Sequence, residues 1–238
     1  MQIAPGLKML EVSAPGEGMV FHPVLIWDDQ DVILIDAGLP PMATAVKEAI
    51  AGSGVPFERL NKVIITHHDI DHLGGLPGIL SAAQQKITVL AHEEEKPFIE
   101  GKKHLLAKIE KTIANLPPEE QEENRNNYRN RETVEVDVAL SDGQQLPYCG
   151  GITVIHTPGH TPGHLCLYLT ATKTLITGDA LNSNQGKLMG PIPMFTVDQK
   201  QAMASLRKLL SFEIDRVICY HGGLVQGDIQ EQIKKLIG

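Results

Sequence analysis

Apolar and β-branched residues recur along the chain in short runs, at 19–27, 32–35, 63–66, 87–90, 152–157, 164–169, 174–177 and 217–220. Each run is short for a globular helix and is bounded by turn-forming or polar residues, which predicts strands. Asp28, Asp29, Gln30 and Asp31 separate the first two and predict a hairpin turn. Apolar residues return at three- and four-residue spacing over 42–51, 105–116, 198–210 and 229–237, which predicts helices, the third with Asp198 as its N-cap.

The same pattern occurs twice. VILIDAGLP, a helix and KVIITH in the first half correspond to TLITGDALN, a helix and RVICYH in the second. Each copy reads strand, helix, strand, with an aspartate after its first strand (Asp36 or Asp179) and a histidine after its second (His67 or His221). Loops just beyond strand ends are where an α/β scaffold carries its chemistry. Two such half-units facing each other bring both polar sets to one edge.

Between 93 and 132 the composition shifts to HEEEKPF, KKHLLAKIEKTIANL and PPEEQEENRNNYRNRE. Leu105, Leu106, Ile109, Ile113 and Leu116 fall on one stripe, which predicts a helical insertion within a single domain spanning 1–238. Its charged remainder reads either as a solvated face or, since long insertions between strands are often functional, as a lid.

Length and composition narrow the partners. A chain of 238 residues, 42% hydrophobic, buries a full core, and a formal charge of −8 disfavours nucleic acid and anionic membrane, leaving a small molecule. Cys149, Cys166 and Cys219 are odd in number and lack a C-x-x-C spacing, as expected of buried thiols in a reducing compartment. MQIAPGLKMLEVS has no basic segment followed by an apolar one, and no run spans a bilayer, so a cytoplasmic protein is expected.

The candidate chemistry sits in ITHHDIDHLGG, where three histidines and two aspartates crowd between a strand and a Gly-Gly pair. Such a cluster is costly unless something positive gathers it, and a divalent metal is the commonest such thing. In an extended segment His67 and Asp69 point one way while Asp71 and His72 turn the other, a geometry for two adjacent metals. HTPGHTPGH holds His160 at a loop tip, and Asp179 and His221 each follow a β run.

THHDIDHLGG, TPGHTPGH, ITGDA and YHGG, in this order, resemble the metal-binding motifs of the metallo-β-lactamase-fold hydrolases, and LIDAG around Asp36 resembles their early strand-end motif. The resemblance covers residues 31–223 and implies an α/β fold, an αββα sandwich of two mixed sheets flanked by helices. It implies two divalent ions, one on His67, Asp69 and His160, the other on Asp71, His72 and His221, with Asp179 bridging and with Asp71 or Asp179 shuttling a proton. Most members carry histidine where this chain has Asp69. Zinc is the first expectation for the ions, and the carboxylate brings manganese and iron into range.

The implied activity is hydrolysis of a small ester, lactone, thioester or related substrate by a metal-activated hydroxide, with an iron-dependent, dioxygenase-like oxidoreductase as the alternative. Lactonases that degrade acylated homoserine lactones usually place tyrosine where this chain has Asn182. Of the other candidates, His68 is expected to face away from the metals and Asp36 to orient a ligand. His164 is divided between a partner of the site and a structural role. His22, His92, His104 and His156 read as structural or exposed, and the loop 182–195 as an adaptable apolar rim.

Overall fold

The computed structural model describes residues 1–14, 16 and 18–238. Seven strands form the first sheet in chain order: β1 (Gln2–Ala4), β2 (Leu7–Met9), β3 (Val24–Trp27), β4 (Val32–Ile35), β5 (Lys62–Ile65), β6 (Thr88–His92) and β7 (Val138–Leu140). Pairing is antiparallel from β1 to β4 and parallel from β4 to β7. The second sheet runs β8 (Gln145–Leu146), β9 (Ile152–His156), β10 (Leu165–Leu169), β11 (Thr174–Ile176), β12 (Arg216–Cys219) and β13 (Gly223–Gln226), with β11 and β12 its parallel pair. The helices are α1 (Ala43–Ala51), α2 (Ile70–Leu73), α3 (Leu76–Ala82), α4 (Lys96–Ile99), α5 (Leu106–Ile113), α6 (Pro118–Arg129), α7 (Gln199–Ser205) and α8 (Ile229–Ile237).

Strand alternation explains the layering. Val32 and Leu34 of β4 pack outward with Val46 and Ile50 of α1, while Ile33 and Ile35 turn inward to meet Ile152, Leu167 and Ile218 between the sheets. On the far side Val217 and Cys219 of β12 pack outward with Leu206, Leu209 and Ile233. Both sheets are therefore buried on both faces, as strands of continuous apolar sequence require. The architecture is an αββα sandwich, and the sequence repeat is visible in it: α1 crosses between parallel β4 and β5, and α7 between parallel β11 and β12.

Several elements differ from the expected pattern. The strand expected over 19–27 is divided: Val20–Phe21 pairs with Val12–Ser13, and β3 begins only after Pro23, which has no N–H to give a ladder. Strands β1, β2, β7, β8 and β13 are only two to four residues long, too short to carry a readable period. The helix expected at 198–210 starts as anticipated, with Asp198 accepting from the Gln201 N–H at 2.9 Å, but tightens into 3-10 geometry over Leu206–Ser211. Helix α6 buries no side chain and so had no apolar stripe to reveal it. The helix expected at 105–116 is α5, and the side chain of Leu106 lies outside the described set. No helix among the described residues is long and apolar enough to cross a membrane.

Candidate metal centre

The parallel strands of both sheets end at one edge, and every candidate donor follows such an end or the loop beside it. Beyond β4, Asp36 adopts φ 60°, an uncommon conformation for a residue with a side chain. The turn aims its carboxylate at the next strand end, where it accepts from the Thr66 N–H at 2.9 Å and from His72 Nδ1–H at 2.8 Å. Beyond β5, the chain stays extended through Asp69 and then winds into α2, whose His72 and Leu73 N–H groups bond the Asp69 carbonyl. That switch from extended to helical sends His67 and Asp69 to one side and Asp71 and His72 to the other. From the second sheet, Gly178 at φ 47° carries the chain past Thr66 and His164 so closely that a Cβ there would lie 2.8 Å from His164 Nε2. Asp179 follows directly.

All seven expected residues come together. Donor atoms of His67, Asp69, His160 and Asp179 form one group and those of Asp71, His72 and His221 another, each within 4.8 Å of one another. In the first, Asp69 Oδ2 is 3.2 Å from His67 Nε2 and 3.0 Å from His160 Nε2. In the second, Asp71 Oδ2 is 3.1 Å from His221 Nε2 and 3.6 Å from His72 Nε2. Asp179 faces both groups: its Oδ2 is 3.4 Å from His160 Nε2, and its Oδ1 is 3.1 Å from His72 Nε2 and 3.4 Å from His221 Nε2.

The donor set fits divalent metal. His67 Nε2, His72 Nε2 and Asp179 Oδ1 are buried without a hydrogen-bond partner, which is costly for atoms that have nothing to bind. Burial and the like charge of His72 push the His67 pKa well below the ordinary imidazole value, so its ring is neutral with a lone pair to give. Burial opposes charge on His72, but Asp71, Asp36 and Asp179 outweigh it and raise its pKa well above that value. Asp179 is likewise held well below the usual carboxylate range, His72 and His160 overcoming burial. The pocket thus favours positive charge between its carboxylates.

The surrounding residues explain how the donors are held. His164 Nε2 accepts the Asp179 N–H at 3.0 Å and its Nδ1–H meets Thr157 Oγ1 at 2.8 Å, so this histidine positions the backbone of Asp179. Burial lowers its pKa to about 3, keeping the accepting nitrogen unprotonated. His68 faces away, stacked on Phe98 with centroids 4.9 Å apart and paired with the fully buried Glu95. Glu95 also accepts from the His68 N–H at 2.9 Å, Thr161 Oγ1 at 3.1 Å and the Gly163 N–H at 2.7 Å, tying the two histidine loops together. His92 and His156 stack on each other, His22 bonds the Tyr220 carbonyl, and His104 is exposed. Cys166 and Cys219 are buried free thiols, pushed up to about 12 by burial.

Three contributors were not anticipated. Glu95 sits in an acidic run that reads as solvated surface, and Tyr220, whose hydroxyl donates to the Asp71 carbonyl, lies inside an apolar strand end. Lys108 of α5 is only 5% exposed and reaches Asp69 and His160. In the loop after Asp179, Met189, Ile192, Met194 and Phe195 are exposed, and Thr196 Oγ1 lies 3.4 Å from His160 Nδ1, so an apolar rim does adjoin the centre.

The model of the Metallo-beta-lactamase superfamily matches residues 22–221. The chain is 30% identical over 209 residues to the probable metallo-hydrolase YflN of Bacillus subtilis (strain 168), covering 80% of this chain and 75% of that one. It is 25% identical over 162 residues to a hydroxyacylglutathione hydrolase of Cereibacter sphaeroides, covering 68% of this chain and 48% of that protein, so it spans about half the length of that relative. It superposes on the crystal structure of the metallo-beta-lactamase family protein TTHA1429 from Thermus thermophilus with a TM-score of 0.74 at 25% identity, over 98% of this chain and 79% of that one. Family pattern, fold and a donor cluster suited to divalent metal agree: the chain belongs to the metallo-beta-lactamase superfamily and is a metal-dependent hydrolase.

Proposed function

We propose that the enzyme is dinuclear and hydrolyses a small carboxylic ester, thioester or lactone. His67, Asp69 and His160 would hold one ion and Asp71, His72 and His221 the other, with Asp179 placed between the two groups. The observation that carries this reading is the division of Asp179, one oxygen toward each donor group. When bound, two divalent ions supply a water acidic enough to be hydroxide near neutral pH and a Lewis acid for the carbonyl oxygen.

The chain's own residues do the rest. The centre's three carboxylates, Asp71, Asp69 and Asp179, are 24%, 17% and 12% exposed; Asp69 is paired with Lys108, which leaves Asp71 and Asp179 to take and return the proton. Asp36 and His164 fix the donors from behind, and the rim at 189–195 offers apolar surface to an acyl group. The hydroxyacylglutathione hydrolase relatives support the thioester arm of this range, and Asn182 weighs against acylated homoserine lactones. An iron-dependent oxidoreductase remains the second reading, favoured only by the oxygen-rich first group that Asp69 creates.

Zinc is the first expectation for both ions, with manganese or iron next. The test is elemental analysis of protein purified without chelator, followed by a panel of thioesters, lactones and esters. About two ions per chain and turnover of one of these classes are expected. A reproducible single equivalent after reconstitution would remove the dinuclear claim.

A further inference from the structure

Lys108 is the feature that the proposed mechanism leaves unused. It lies on α5, in the insertion, yet is 5% exposed, and a buried ammonium is costly unless it is paired. Its Nζ pairs with Asp69 Oδ2 and donates to His160 Nε2 at 3.0 Å. Asp69 Oδ2 is the same oxygen that faces both His67 and His160. The lysine therefore engages the donors of the first group at the atoms they would offer an ion.

The helix that delivers it is braced on several sides. Lys111 Nζ donates to the Thr196 carbonyl at 3.0 Å, beside His160. Arg125 of α6 grips Glu110 of α5 through two hydrogen bonds of 2.7 and 2.9 Å, and the Tyr128 hydroxyl accepts the Leu105 N–H at 3.1 Å. The second group has no such visitor: among the described residues the ion-pair partners of Asp71 are histidines alone. Position 69 and position 108 also explain each other, since a neutral imidazole at 69 would give a buried ammonium no counter-charge, whereas a carboxylate does.

We propose that Lys108 is a built-in competitor for the first metal position, which shares Asp69 and His160 with the lysine and so fills last, and only as α5 yields. The inference rests on the two donor groups proposed above. Two cations drawn to one carboxylate oxygen in a poorly solvated pocket repel each other strongly, so ion and ammonium cannot both keep that contact. Filling the first group then requires Lys108 to leave, and the lysine is carried by α5, which is tied to the Thr196 loop beside His160. Metal occupancy and the position of the insertion become linked.

The experiment is chelator competition on the zinc-loaded 238-residue chain, reading zinc retained per chain at each free-zinc concentration, for the natural chain, Lys108→Met and Lys111→Ala. Two unequal affinities are expected in the natural chain, with the weaker one tightened by about tenfold or more in Lys108→Met and unchanged in Lys111→Ala. One ion in the natural chain but two in Lys108→Met would uphold the competition while removing the dinuclear reading of the natural enzyme. Identical binding curves for the natural chain and Lys108→Met overturn the inference, and if both retain a single ion the dinuclear reading falls with it. Equal tightening in Lys111→Ala also overturns it, because helix release rather than the ammonium would then be the cause. Hydrogen exchange on the natural chain supplies a readout independent of any variant: amides over 106–113 should exchange faster on going from one bound zinc to two, and unchanged exchange refutes the link.

Discussion

The two donor groups sit side by side but are built differently. The second, with Asp71, His72 and His221, is held by the sandwich itself: Asp36 at the end of β4 anchors His72, and Tyr220 at the end of β12 fixes the Asp71 carbonyl. The first, with His67, Asp69 and His160, leans on the scaffold only at His67, whose Nδ1 lies 3.1 Å from Thr66 Oγ1, and otherwise on connections outside the sheets: Glu95 ties the His68 and Thr161–Gly163 loops, and α5 sets Lys108 against Asp69 and His160. One group is scaffold throughout, the other is accessory in part. Variation in the insertion should act more on the first group than on the second.

The largest expected effect removes what the two groups share. Asp179→Ala should cut hydrolysis by more than about 100-fold, since a residue facing both groups should matter at least as much as the partners behind them. The fold should persist, because Asp179 lies outside the three apolar cores. A folded variant with most of its activity would sink the bridging role.

Glu95→Ala comes next and should act on the first group through stability. Removing one partner of a buried pair costs about 3–5 kcal/mol, because the His68 ring and three N–H or O–H donors are left unsatisfied. Burial raises the Glu95 pKa, but His68 and the N–H donors more than offset it and leave the carboxyl below its ordinary value. Its contribution is therefore fully present above about pH 4.5 and is lost as pH falls below that. Denaturation followed from pH 7 to pH 3 should show a shallower acid loss in Glu95→Gln than in the natural chain. Parallel curves would show that the carboxylate is not the tie described here.

Asp36→Asn tests the scaffold side. Asn tolerates the left-handed backbone at this position but is a weaker acceptor for His72 Nδ1–H, so metal affinity at the second group should fall by about 10–100-fold with little change in melting temperature. An equal loss at both groups would erase the distinction between them. Smallest is the effect of Asp69→His on the pH-rate profile. Replacing a carboxylate by neutral imidazole should move the acid limb of the pH-rate profile downward by about one unit or less at equal metal loading, and shift preference from manganese or iron toward zinc. An unchanged profile and preference would mean that Asp69 serves Lys108 alone.

Much of this organisation was legible in the sequence, for identifiable reasons. The buried strands of each half are continuous apolar runs, and their repeat alone places Asp36, His67, Asp179 and His221 at strand ends. The seven donors stood out because histidine and aspartate crowd around them. Glu95 and Lys108 did not, since each belongs to a charged segment in which most neighbours are exposed, and nothing local distinguishes the one glutamate or lysine that turns inward. The edge strands were missed for want of length. His164 was undecidable because its role depends on a backbone N–H fifteen residues away, a contact that only the folded sheet creates.

The placement of the donors at the junction of the two sheets has a mechanical consequence. His67 and Asp69 follow a strand of the first sheet while His160 and Asp179 come from the second, and Asp71 and His72 likewise face His221 across the same seam. An ion bound there would rivet halves that otherwise meet mainly through apolar contact at their shared face, beside polar ties such as the Leu165 N–H to the Thr66 carbonyl at 3.1 Å. A ligand that binds only the folded chain adds about 2.7 kcal/mol when its free concentration is about a hundred times its Kd. Two rivets of unequal grip would make the seam open in stages as metal is withdrawn, the accessory side first and the scaffold side last.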